Sequence, residues 1–223
     1  MLASLSQKEY LNILSLSKLV ELNSGEILYK PGKEINCVYF PINCYISLQK
    51  NIDKNTSLEI GIIGPEGFYG LNLVLGVKAT LLRTVVEVSG TALSISSKSF
   101  LKIYEKSAAF KLKLQNYAYV RMSQLSQTTG CNRFHALDSR LCHWILMIQD
   151  YLKSKEFYIT HEHLSKKPVV RRAGVTKAAG ILQEKKLISC SKGHIKILGR
   201  RKLEALACGC YQLNKEAFKR IIG

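Results

Sequence analysis

Acidic residues are what this chain has little of: 16 Asp and Glu stand against 33 Lys and Arg, a net charge of +17 over 223 residues. That imbalance points to a polyanionic partner, either nucleic acid or an anionic membrane surface. The membrane is disfavoured by a second absence, because no apolar run approaches the roughly 20 residues that a span requires. The N-terminus also lacks the charged, apolar, small-residue order of a signal peptide, so a cytoplasmic protein is expected. Seven cysteines (Cys37, Cys44, Cys131, Cys142, Cys190, Cys208 and Cys210) form an odd, scattered set rather than a disulfide framework, and reduced thiols are expected. No Walker loop, HExxH or GxSxG string is present, which argues against an enzyme. No cofactor or metal is expected. His161 and His163 lie two apart and do not share a helical face, and Cys208-Gly-Cys210 is not a CxxC pair.

With 47% hydrophobic and 22% charged residues, the composition is that of a folded chain, and the length suits two modest domains. The charge is uneven. Residues 151–223 hold 17 basic against 5 acidic residues, net +12, whereas residues 1–150 hold 16 against 11, net +5. From about Ser24 to Ser97, short β-rich runs alternate with turn residues, including Pro31-Gly32, Gly64-Pro65-Glu66-Gly67 and Ser89-Gly90. This spacing predicts an all-β sandwich or barrel, with Leu2 to Glu21 as a helical lead-in. From Ser97 or Ser99 to about Gln127 there is neither Pro nor Gly. Leu112, Leu114, Tyr117, Val120, Met122 and Leu125 predict an apolar stripe on one long helix, a natural dimer seam. A further helix is predicted through Leu137, Leu141, Trp144, Ile145 and Ile148.

The segment THEHLSKKPVVRRAGVTKAAGILQEKKLISCSKGHIKIL, residues 160–198, is the most informative. Thr160 is a candidate N-cap for a short helix ending near Lys167, Pro168-Val169-Val170 a turn, and Arg171 to about Lys186 a second helix. At 100° per residue, Val175, Ala178 and Leu182 share one face, with Arg172, Ala173, Thr176, Lys177 and Gly180 on or beside the other. Small residues allow close approach to a major groove, and long donors near the helix N-terminus reach base edges. Two strands, Leu187 to Cys190 and His194 to Leu198, enclose Ser191-Lys192-Gly193 as a wing, which places Lys192, His194 and Lys196 near a DNA backbone.

Across nearly its whole length the chain resembles the Crp/Fnr family of bacterial regulators, relatives of the catabolite activator protein. The resemblance is carried by VRRAGVTKAAGILQEKKLI, SKGHIKIL and ALACGCY in the C-terminal part, and by GEILYKPG, VYFP and IGPEGFYGLNLVLG in the N-terminal part. It implies an α+β chain in three parts: a cyclic-nucleotide-binding-type β jelly-roll sensor domain (1–97), a central dimerisation helix (98–134) and a winged helix-turn-helix (135–223). It also implies a homodimer on double-stranded DNA, with recognition helices about 34 Å apart and RNA polymerase as a candidate partner. Arg172 matches the family's base-reading Arg, and Lys177 sits where relatives often carry a second Arg. Ala173 replaces their Glu, so it can contact only a thymine methyl and the operator should differ. Arg171 and Thr176 are expected on phosphate. Nucleotide-binding members hold the ribose with a Gly-Glu pair; here Gly70 is followed by Leu71. Arg83-Thr84 still suits an anion, so Gly70, Leu71, Arg83 and Thr84 form the candidate pocket for an unidentified small effector, and cyclic AMP is not expected. No Cys precedes Cys37, so the N-terminal iron–sulfur cluster of oxygen-sensing members is not expected. The expected function is a dimeric, sequence-specific transcription regulator controlled through its barrel. The alternative is a DNA-independent sensor or protein-interaction module whose Pro168-containing turn disables groove docking.

Overall fold

A computed structural model describes residues 1–2, 5–53, 57–160, 163–164 and 172–223. The chain divides into two compact units, Met1–Met122 with Ala217–Gly223, and Ser123–Glu216. This division differs from the three-part reading, because the central helix is shared between units and the C-terminal residues join the first.

The first unit opens with α1 (Gln7–Ser15), started by a capping box in which Ser6 and Glu9 satisfy each other's backbone N–H groups. The expected helical lead-in is therefore half right: Lys18–Leu22 is a strand, β1, at a sheet edge. The other strands are β2 (Ile27–Tyr29), β3 (Cys37–Pro41), β4 (Tyr45–Asn51), β5 (Ser57–Ile63), β6 (Arg83–Val88) and β7 (Gly90–Ser96), with a short helix α2 (Leu71–Val74) between β5 and β6. They form two antiparallel sheets, ordered β1-β7-β3 and β2-β6-β4-β5. Val38, Phe40, Ala92 and Ile95 from one sheet share a core with Tyr29, Ile46, Ile63 and Val86 from the other. At its centre Phe68 stacks on Phe40, with ring centroids 5.4 Å apart, and contacts Phe100 and Tyr117. On the other side of β4, Gln49 donates to Glu87 at 2.9 Å and Ser47 donates to Glu59 at 2.8 Å, so these four buried polar side chains are paired.

The single long helix predicted after Ser97 is two helices, α3 (Ser97–Lys106) and α4 (Ala108–Phe134). Ser107 breaks them: its backbone is extended, and its hydroxyl accepts from Phe110 N at 3.0 Å, a cap that restarts the helix. The apolar stripe also divides. Leu114, Tyr117 and Val120 are buried in the first unit's core, whereas Leu112, Tyr119, Met122 and Leu125 are exposed. At about 100° per residue, Leu112, Tyr119 and Met122 lie within roughly 80° of one another, on the side turned away from Tyr117 and Val120.

The second unit is built around α5 (Leu137–Leu152), which buries Leu141, Trp144, Ile145 and Ile148. It continues through β8 (Glu156–Tyr158), α6 (Arg172–Glu184), β9 (Ile188–Ser191), β10 (His194–Ile197), α7 (Arg200–Leu206) and the first half of α8 (Cys210–Ile222), with its three strands ordered β8-β10-β9. Arg200 ties the helices together. Its guanidinium pairs with Asp150 at 2.9 Å and Glu204 at 2.9 Å, and donates to Gln149 and to the Tyr211 hydroxyl, which itself donates to Asp150 at 2.7 Å. Among the described residues no helix is long and apolar enough to cross a membrane.

Candidate nucleic-acid interface

Helix α6 is amphipathic in the predicted sense. Val175, Ala178, Ala179 and Leu182 are buried, whereas Arg172, Ala173, Thr176 and Lys177 are exposed. Burying one face fixes the helix on its unit and leaves two cations and two small side chains facing outward near its N-terminal end. The Thr176 hydroxyl donates to Arg172 O at 3.1 Å. Gly180 is half-buried, and a Cβ built on it would meet nothing within 4 Å among the described residues. Upstream, Thr160 accepts from His163 N at 3.2 Å, the contact expected of an N-cap. Arg171, His161 and the Pro168-Val169-Val170 turn lie outside the described residues.

The wing forms as read. Ser191 pairs with His194 across a two-residue turn in which Lys192 and Gly193 both have positive φ, 47° and 85°. Such a turn matches the twist of the flanking strands. Gly193 is required there, since a Cβ would also approach Tyr158 to 2.8 Å. Lys192 stands exposed at the tip. His194 is exposed with its ring edge-on to Tyr158, and Lys196 pairs with Glu156 at 3.7 Å across β8 and β10.

Residues 139–206 match the model of the Crp-like helix-turn-helix domain. The chain therefore carries a Crp-like helix-turn-helix domain. It shares the fold of Crp/Fnr regulators, an α+β chain with a β-rich N-terminal domain and a C-terminal helix-turn-helix. Solved structures that share its fold include FixK2 from Bradyrhizobium japonicum, with a TM-score of 0.74 at 12% identity, covering 86% of this chain and 98% of that one. The c-di-GMP responsive global regulator CLP of Xanthomonas campestris aligns with a TM-score of 0.66 at 13% identity, over 86% of this chain and 99% of that one. A CRP/FNR-family transcriptional regulator of Thermus thermophilus aligns with a TM-score of 0.61 at 19% identity, over 85% and 98%. A sequence search of curated proteins gives no match.

The candidate effector residues do not converge. Gly70 and Leu71 line a small cavity with Leu48, Phe68, Tyr117 and Arg121. Its volume, about 40 Å³, is far below the roughly 300–1,000 Å³ of small-molecule sites. Gly70 has a packing reason to be glycine, with φ at 127° and Val38 only 2.7 Å from a would-be Cβ. Arg83 and Thr84 are consecutive on β6, so they point to opposite faces. Thr84 is fully buried opposite Leu48, while Arg83 lies opposite Gln49 and donates to it at 3.5 Å. The cation that lines the cavity is Arg121, whose guanidinium also donates to Ile62 O at 2.8 Å.

A second constellation escaped the sequence reading. Cys131, His135, Cys208 and Cys210 come together within the second unit, although the seven cysteines look scattered along the chain. The Cys131-x-x-x-His135 spacing, with both residues on one helical face, was the available signal.

Proposed function

We propose that the chain acts as a homodimer that reads a near-palindromic DNA site with one α6 from each copy, gripped at the backbone by the wing. The observation that carries this reading is the exposed row of Arg172, Ala173, Thr176 and Lys177 on a helix whose opposite side is buried. Arg172 and Lys177 are long donors suited to guanine O6 and N7, and Ala173 can contact a thymine methyl. Thr176, Arg171, Lys192 and His194 serve the phosphates, with Lys196 contributing less because Glu156 already engages it. Among the described residues nothing lies within 4 Å of a Cβ built on Gly180, which suits close approach of a partner. The exposed Leu112, Tyr119 and Met122 face of α4 is the dimer seam, so this helix serves as the dimerisation element between a sensor unit and a DNA-binding unit.

Effector control works through a population shift: whatever alters the barrel and α4 alters the spacing of the two recognition helices. The 40 Å³ cavity favours a small effector or none over a cyclic nucleotide.

Selection of bound sequences from random duplex DNA tests the reading. The expected result is an inverted repeat with half-site centres about 34 Å apart, retained in gel shifts that weaken steeply with salt. Intact dimer that retains no sequence above random DNA would instead favour the DNA-independent module.

A further inference from the structure

Four side chains that the DNA-binding reading does not use meet inside the second unit. Their ligand atoms, the Sγ of Cys131, Cys208 and Cys210 and a ring nitrogen of His135, all lie within 4.8 Å of one another. Two edges of this set are already short: Cys131 Sγ to Cys208 Sγ is 3.5 Å, and Cys210 Sγ to His135 Nδ1 is 3.4 Å. With zinc–sulfur bonds of about 2.3 Å and zinc–nitrogen bonds of about 2.0 Å, a tetrahedral site has edges of about 3.5–3.8 Å. The set therefore needs only a small contraction to close on one ion.

We infer that Cys131, His135, Cys208 and Cys210 form a Cys3His site for a single tetrahedral zinc ion. The local structure prepares both halves. His135 N donates to Cys131 O at 3.1 Å, so helical spacing carries past the end of α4 and keeps the two side chains on one side. Cys208 is set just before α8 and Cys210 opens it, and Cys208 N is fixed by Ser139 O at 3.3 Å. All three thiols are buried while His135 is exposed, which gives the ion a route in.

Outer partners are also in place. Gln127, one turn before Cys131, donates its amide to Cys210 Sγ at 2.9 Å, and His143 Nδ1 lies 3.6 Å from Cys208 Sγ. Hydrogen bonds of this kind to thiolates are what hold metal ligands in position. Three soft thiolates with one imidazole select zinc over hard cations such as magnesium or calcium. The compactness disfavours a polynuclear iron–sulfur cluster, whose thiolates bind separate irons. Cys131 and Cys208 lie 77 residues apart, so the ion would clip the end of α4 to the start of α8 around α5, the recognition helix and the wing. Metal binding of this sort is coupled to folding.

This inference stands apart from the DNA-binding reading, and its test reads metal rather than DNA. The reduced full chain is reconstituted with zinc alone, freed of excess ion and measured for bound zinc. One equivalent per chain is expected for the wild type and for Cys37→Ser, which lies outside the set, and loss to background for Cys131→Ser, Cys208→Ser and Cys210→Ser. Because those variants could fail to fold, His135→Cys is measured with cobalt in place of zinc. It should keep one equivalent while its visible absorption moves towards the four-thiolate type. No stoichiometric metal in the reduced wild type overturns the site, as does an unchanged cobalt spectrum in His135→Cys. So does a Cys131–Cys208 disulfide that forms in a chain taking up no zinc.

Discussion

At the scale of single residues, the proposed interface separates groups able to read bases from groups able only to neutralise phosphate. Arg172 sits in the first turn of α6, and Lys192 at the tip of the wing. Arg172→Ala is expected to cost about 1–3 kcal/mol in binding and to relax preference at one base position, because it removes a bidentate donor. Lys192→Ala should weaken all sequences alike and reduce the salt dependence by about one phosphate contact. The second substitution is clean, since Lys192 has φ 47° and alanine meets the same left-handed backbone as lysine. Binding titrations on a panel of single-base operator variants separate the two roles. Equal, sequence-blind losses from both would remove the base-reading role of Arg172. Lys196→Ala should lose less than Lys192→Ala, because the Glu156 carboxylate competes with phosphate for its ammonium. At this scale the sequence was legible wherever helical periodicity applied, as it did from Arg172 to Leu182. It was less so at Arg83-Thr84, where only the strand register shows that neighbours diverge to opposite sheet faces.

At the scale of elements, the wing was readable because its turn has a local cause. Two adjacent positive-φ residues suit a two-residue hairpin, and Gly193 supplies the position that tolerates no side chain. Gly193→Ala is expected to destabilise the second unit by about 1–2 kcal/mol, through the left-handed backbone and contact with Tyr158. A lower thermal midpoint with unchanged helical circular dichroism is the expected signature, and an unchanged midpoint would show that the turn relaxes into another type. Two other elements could not be read locally. The division between α3 and α4 depends on a cap at Ser107, a single serine within a run otherwise suited to one helix. The apolar stripe of α4 looked like one surface. Only packing shows that Leu114, Tyr117 and Val120 complete a core while Leu112, Tyr119 and Met122 do not. The Cys and His cluster was hidden for a related reason: its halves lie at opposite ends of the second unit's chain path, and α5 with its neighbours brings them together.

At the scale of the whole molecule, two properties must combine for specific binding: a charge bias and a pairing of copies. Residues 151–223 carry 17 basic against 5 acidic residues, enough for non-specific attraction by each copy but silent about sequence. In the proposed reading, specificity for a long site comes from two recognition helices held at fixed spacing, so it depends on the seam. Met122 is two-thirds exposed on the outward face of α4, so Met122→Glu leaves the core of the first unit intact. Placed in a seam, that charge would lie against its own symmetry mate and lose hydration, whereas on a free surface it would cost almost nothing. The variant should therefore sediment as a monomer at concentrations where the wild type is a dimer. It should bind a single half-site as the wild type does, and bind the paired site about 10²–10⁴-fold more weakly, because the second contact is no longer intramolecular. A Met122→Glu chain that stays dimeric and keeps full affinity for the paired site would move the seam elsewhere, and the spacing of the recognition helices would then need another cause.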